Sequence, residues 1–131
     1  MKRTIALLLI LVCVAATAAA DTDLSSMTFD ELVALNKAVV MEIMTRPEWK
    51  EVTVPGGTWI VGKDIPAGAY SITPTDSGGY IEITDKSGNS IVNQGIRNME
   101  NAIGKVELLD GYVVYIERGS VIFSPAIGLG F

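Results

Sequence analysis

The sequence predicts a mainly β protein: an antiparallel β-sandwich or small barrel of about eight short strands, preceded by one N-terminal amphipathic α-helix. Three observations carry this expectation. The hydrophobic period changes from helical to two at Val52. Turn residues then recur at close spacing as far as Pro125. One capped segment of helical spacing stands in front of them. The chain is thus expected to divide into residues 1–20, residues 21–50 with the helix, and a β domain over residues 51–131.

Residues 1–20 read as a secretory signal peptide. Lys2 and Arg3 form a basic start, Ile5 to Val14 an apolar run, and Ala18-Ala19-Ala20 a small-residue exit before Asp21. A membrane anchor fits less well, because a span needs about 20 strongly apolar residues and the last third here is Ala and Thr. Cys13 invites comparison with a lipid-modified cysteine, but it lies within the apolar run and follows the large Val12. Loss of this leader removes the single cysteine, so no disulfide is expected in the remaining chain. Of ten Lys plus Arg it removes Lys2 and Arg3, leaving eight bases against fifteen acids. So acidic a domain repels phosphate backbones, and nucleic acid is not an expected partner.

Asp21 to Ser26 is polar and expected to be disordered. Thr28 and Glu31 then form a Thr-x-x-Glu capping box, which starts a helix at Phe29. Pro47 disfavours a helical Arg46, so the helix should end near Thr45. Leu32, Leu35, Val39, Val40, Ile43 and Met44 make its apolar stripe, with Phe29 and Val33 beside it. Glu42 and Arg46 are spaced to pair on the wet side.

Val52 to Val54 reads as a short strand, and Thr58 to Gly62 as one buried on both faces. Between Lys63 and Gly68 a turn forms, in which Ile65 can tuck inward and Pro66 and Gly68 reverse the chain. Ala69 to Thr73 places Tyr70 and Ile72 inward, and Tyr80 to Thr84 places Ile81 and Ile83 inward. Tyr80, Glu82 and Thr84 then face water. Ile91 to Ile96 is a further strand, and Arg97 to Gly104 a loop or single helical turn. Asp110-Gly111 predicts a type I′ hairpin between Lys105–Leu109 and Tyr112–Glu117. Arg118-Gly119 looks like another tight turn, before a last strand from Ser120 to Ser124.

The chain has no His, which excludes Ser-His-Asp and Cys-His catalysis and the usual zinc and copper sites. No phosphate-binding glycine loop of known spacing is present. No cofactor and no catalytic residue are therefore expected. Asp64, Asp76, Glu82 and Asp85 are the acids from which a carboxylate-dependent glycan or cell-wall hydrolase would draw its pair. Asp85 to Asn89 has oxygen side chains at alternating positions, as a calcium loop begins, but it lacks the downstream glutamate and suits a hairpin turn. Ile127, Leu129 and Phe131 alternate at the end of the chain as in outer-membrane barrels, yet strands of five or six residues are short of the roughly 9–11 a span requires.

Aromatic residues on a wet strand face are platforms for sugars or protein partners. Alternation selects Tyr80 and Tyr115 as that pair, while Trp59 and Tyr70 fill the core; Trp49 is open to either role, a platform or a pin between the helix and the sheet.

Phe29 to Leu35, Glu48 to Pro55 and Trp59 to Tyr70 together resemble small exported proteins and lipoprotein-attached domains of gut-type bacteria, which share a VGxDIPAGxY pattern. The resemblance covers residues 29–72 and implies a bacterial cell-surface setting, with no catalytic residues to carry over. The expected function is a secreted, non-enzymatic binding or interaction domain at or near the envelope, with an extracellular protein or glycan as partner. The hydrolase is the alternative, and a structural subunit assembling through the helix stripe is a third possibility.

Overall fold

The structure is a computed structural model that describes residues 23–126. The expected leader with Cys13, and the alternating Ile127, Leu129 and Phe131, lie outside the described residues. The chain divides into two compact units, Met1–Leu35 and Asn36–Phe131, whose boundary falls within helix α1 (Phe29–Thr45).

In the first unit, part of the stretch expected to be disordered forms a 3-10 turn at Leu24–Ser26. Asp23 caps it by accepting from the Ser25 amide at 3.0 Å and from the Ser25 hydroxyl. These bonds, the Ser25 hydroxyl first, hold the Asp23 carboxyl below its ordinary pKa. Helix α1 starts where the capping box places it. The Thr28 amide donates to Glu31 Oε2 at 2.8 Å, and the Glu31 amide to Thr28 Oγ1 at 3.2 Å.

The second unit begins with the C-terminal half of α1. Val40 and Met44, four residues apart, are its buried line. Val39, expected in the stripe, is exposed because a step of one residue turns it about 100° away from Val40. Arg46 pairs with Glu42 at 2.7 Å in the open, an interaction that contributes about 0.3–0.5 kcal/mol.

Among the described residues six strands follow: β1 (Val52–Ile60), β2 (Gly68–Pro74), β3 (Gly79–Thr84), β4 (Ser90–Ile96), β5 (Ile103–Leu108) and β6 (Val113–Pro125). They form one curled antiparallel sheet in the order β4-β3-β6-β2-β5, with β1 along the other edge of β6. The count is six instead of about eight because two pairs of expected strands are each continuous. Val52–Val54 runs on into Thr58–Ile60 through a register shift between Pro55 and Gly57. Likewise Arg118 and Gly119, read from sequence as a turn, are a bend inside β6 with φ of 54° and 107°.

That bend lets one strand serve two neighbours on the same edge. Val113–Glu117 pairs with β3, and Val121–Pro125 pairs with β2. The expected hairpin at Asp110-Gly111 is corrected for the same reason. With β1 and β3 on its two edges, the first half of β6 has no room for β5, which pairs with β2 instead. Asp110-Gly111 is a turn between diverging strands. Only Gly111 has positive φ (89°), so a type I′ turn is excluded, and the Gly111 amide bonds to Val61 O at 3.0 Å.

The core contains Trp59, Ile65, Tyr70, Ile72, Ile81, Ile83, Val114, Ile116 and Phe123, all buried. Tyr70 lies 5.6 Å from Phe123 and 6.1 Å from Trp49, ring centre to ring centre, so Trp49 packs onto the core. Ile60, expected to be buried, is 37% exposed. It pairs with Val113 on the outer face, while Trp59 pairs with Val114 inside.

Around β1 lies a tie that the sequence did not reveal. Lys37 Nζ donates to Thr58 O at 2.7 Å, lies 3.5 Å from Asp64 Oδ2 and sits 5.4 Å from the Trp59 ring centre. Asp64 Oδ2 accepts from the Ile60 amide at 2.9 Å, so the turn before β2 is locked against the end of β1.

Burial pushes the Tyr70 hydroxyl up from 10.0 to about 12, and that hydroxyl donates to Pro66 O. The folded state therefore keeps a proton that the unfolded chain releases above pH 10.0. The stabilisation is full below pH 10.0 and is lost as pH rises to about 12. Ultraviolet titration should show one of the four tyrosines ionising late, and Tyr70→Phe should remove that step. A late step persisting in Tyr70→Phe would show that another tyrosine causes it.

Candidate binding face and groove

Strand pairing brings the two sequence-selected tyrosines together. On β3 and the first half of β6, Tyr80 is opposite Glu117 and Glu82 is opposite Tyr115. The tyrosines are thus diagonal neighbours on one outer face, a spacing of ~7–8 Å between backbones that aromatic side chains can bridge. Their strand neighbours Ile81, Ile83, Val114 and Ile116 point into the core, which is why the tyrosines do not. Tyr115 is 40% exposed and Tyr80 half-buried. Thr58 and Ile60 of β1 extend the face past Tyr115, and Asn93 of β4 lies beside Glu82.

At the Tyr80 end the face runs into a groove of about 600 Å³. Tyr80, Asp76, Ser77, Arg97, Glu117 and Arg118 line it, together with glycine backbone. The bend in β6 positions two of these groups, Glu117 and Arg118. The Ser120 amide donates to Gly78 O at 3.3 Å, and Thr75 Oγ1 donates to Ser120 O at 3.0 Å. The Thr75–Gly78 turn and the bend therefore hold each other, and they deliver Asp76 and Ser77 from one side and Glu117 and Arg118 from the other. Arg118 occupies the left-handed region at φ 54°, a conformation that costs a non-glycine residue about 1–2 kcal/mol.

The charges in the groove are unevenly engaged. Arg118 Nε is 3.9 Å from Glu117 Oε1 in an exposed pair. Arg97 and Asp76 have no ion partner within 4.0 Å among the described residues. From the sequence Arg97 is expected in a loop and Arg118 in a turn. Alternation works only inside strands and says nothing about which loops meet at a strand end. An arginine directly before a glycine was the one available hint, since a bend of positive φ favours that glycine.

The four candidate acids separate. Asp64 is buried under Lys37, Glu82 is on the outer face beside Tyr115, and only Asp76 reaches the groove. Asp85 is used by its own turn: it accepts from the Asn89 side chain at 3.0 Å, from the Asn89 amide at 2.9 Å and from the Ser87 amide at 2.8 Å. Those bonds, the Asn89 side chain first, lower its pKa. Both oxygens are occupied without a metal, so added calcium or a chelator should leave the melting temperature unchanged, and a calcium-dependent rise would restore the metal reading.

Among the described residues no group of three or more Asp, Glu, Cys or His is arranged to hold a metal. None of their helices is long and apolar enough to cross a membrane. Comparison with known proteins finds no matching family model, no matching curated protein and no matching solved structure.

Proposed function

We propose that this chain is a non-enzymatic binding module acting outside a bacterial cell, at or near the envelope, and that its ligand docks on the outer face carrying Tyr80 and Tyr115. The observation that carries the reading is the diagonal placement of those tyrosines beside a polar groove. An aromatic pair with acidic neighbours offers ring faces for stacking and carboxylates as hydrogen-bond acceptors. Export rests on the leader-like residues 1–20, and the bacterial surface setting rests on the resemblance over residues 29–72. The finer architecture belongs to the same reading. With the first half of β6 paired to β3 and the second half to β2, the curled sheet is read as a β-sandwich or small barrel whose outer face is the docking surface.

Tyr80→Ala and Tyr115→Ala should each weaken binding roughly tenfold or more, measured by titration against a ligand captured from extracellular glycans and proteins. Both should retain wild-type melting curves to within a few degrees. Wild-type affinity in both variants would sink the reading. The hydrolase remains the second reading, because Asp76 and Glu117 line one groove. Turnover of a glycan that Asp76→Asn or Glu117→Gln abolishes would replace the binding module with an enzyme.

A further inference from the structure

The groove carries more specific chemistry than the tyrosine face. The chain has an excess of acids, fifteen against ten bases, and arginine is the cation whose planar fork suits a carboxylate through two bonds. Of the three arginines among the described residues, Arg46 is held by Glu42 and Arg118 lies beside Glu117. Arg97 alone has no carboxylate within 4.0 Å and donates no side-chain hydrogen bond. It lines a groove with Tyr80, Ser77 and the equally unengaged Asp76. The volume, about 600 Å³, is within the range of roughly 300–1,000 Å³ typical of small-ligand sites.

We infer that this groove binds a carboxylate-bearing sugar ring, with Arg97 pairing the carboxylate, Tyr80 stacking on the ring, and Asp76 and Ser77 bonding its hydroxyls. This rests on the reading of the Tyr80–Tyr115 face as a docking surface and names the ligand class for one end of it. The planar guanidinium matches a carboxylate through two parallel hydrogen bonds. A phosphate ester, carrying about −1.5 to −2, would call for a second unpaired cation, and Arg118 in the same lining already lies beside Glu117. A single negative charge is matched by Arg97 alone, and Asp76 is then free to accept from hydroxyl donors. A neutral sugar would leave the guanidinium unused.

Titration calorimetry with a galacturonate oligomer and with its neutral galactose counterpart tests this. The wild type should prefer the acidic oligomer by roughly tenfold. Arg97→Gln should abolish that preference while retaining the binding that stacking supports, and Tyr80→Ala should weaken both oligomers. Circular dichroism of each variant guards against misfolding, and Arg97→Lys, which keeps the charge but loses the fork, should recover only part of the preference. Equal affinity for the two oligomers, or an unchanged preference in Arg97→Gln, overturns the inference. The docking reading survives that result if Tyr80→Ala and Tyr115→Ala still weaken binding. Failure of the wild type to bind either oligomer also overturns the inference, and the docking reading is then decided by the captured-ligand titration alone.

Discussion

Gly119→Ala is expected to destabilise the second unit by about 3–5 kcal/mol, a large share of the 5–15 kcal/mol typical of a domain. Two effects add. A Cβ at this position would stand 2.1 Å from Gly78 O and 3.2 Å from Gly78 C, and both are backbone atoms that cannot swing aside. The residue also sits at φ 107°, where side chains are strained. Relieving the clash means separating β6 from the Thr75–Gly78 turn, which breaks the Ser120 amide bond to Gly78 O. Gly104→Ala is the control, because its Cβ would meet nothing within 4 Å and its φ is not positive. Urea unfolding of the two variants decides. A cost for Gly119→Ala no larger than that for Gly104→Ala would mean that the two backbones do not approach as described. Any Gly119→Ala protein that does fold should also bind ligand weakly, since the bend delivers Glu117 and Arg118 to the groove.

Trp59→Ala should cost about 3–5 kcal/mol, in the range for large aromatic truncations in a core. The ring is 2% exposed, its Nε1 donates to Pro55 O at 3.1 Å, and Lys37 Nζ lies over its face. Truncation leaves a cavity and removes the hydrogen bond that braces the register shift between Pro55 and Gly57. Trp59→Phe separates the two contributions. It keeps most of the packing and loses the N–H donor, so a cost of about 1–2 kcal/mol is expected. Denaturation followed by circular dichroism measures both, with Trp49 left as the fluorescent reporter. If Trp59→Ala cost less than Trp59→Phe, the ring would not be the core anchor assigned here.

Several local signals in this sequence match the structure because the deciding interactions are local. The Thr28–Glu31 box is closed within one helical turn, so it marks the start of α1 without reference to the rest of the chain. Alternation placed Tyr70 and Ile72 inside and Tyr115 outside, because a strand buried on one face enforces a period of two. Ile60 broke the pattern. Its apolar side chain suggested burial, but facing is set by register with Val113, and the outer face there is uncovered.

Partnership was the illegible part. Asp110-Gly111 has the composition of a hairpin turn, and nothing near it reveals that both edges of β6 are already paired. Arg118-Gly119 likewise has the composition of a turn, yet it is a bend because β1 continues along the opposite edge on both sides of it. Lys37 and Asp64 are 27 residues apart, and a surface lysine has no sequence feature that announces a buried carboxylate.

By itself, then, the sequence determined the β class, the limits of α1, the inward and outward faces of the strands except at Ile60, and the outer-face placement of Tyr80 and Tyr115. Each of these follows from steric and solvation preferences that act over a few residues. Only the tertiary structure decided which strands pair, that six strands suffice, and that Asp76, Arg97 and Arg118 meet Tyr80 in one groove. Those outcomes depend on competition among distant segments for a limited number of strand edges, and a backbone donor satisfied by one neighbour is closed to every other.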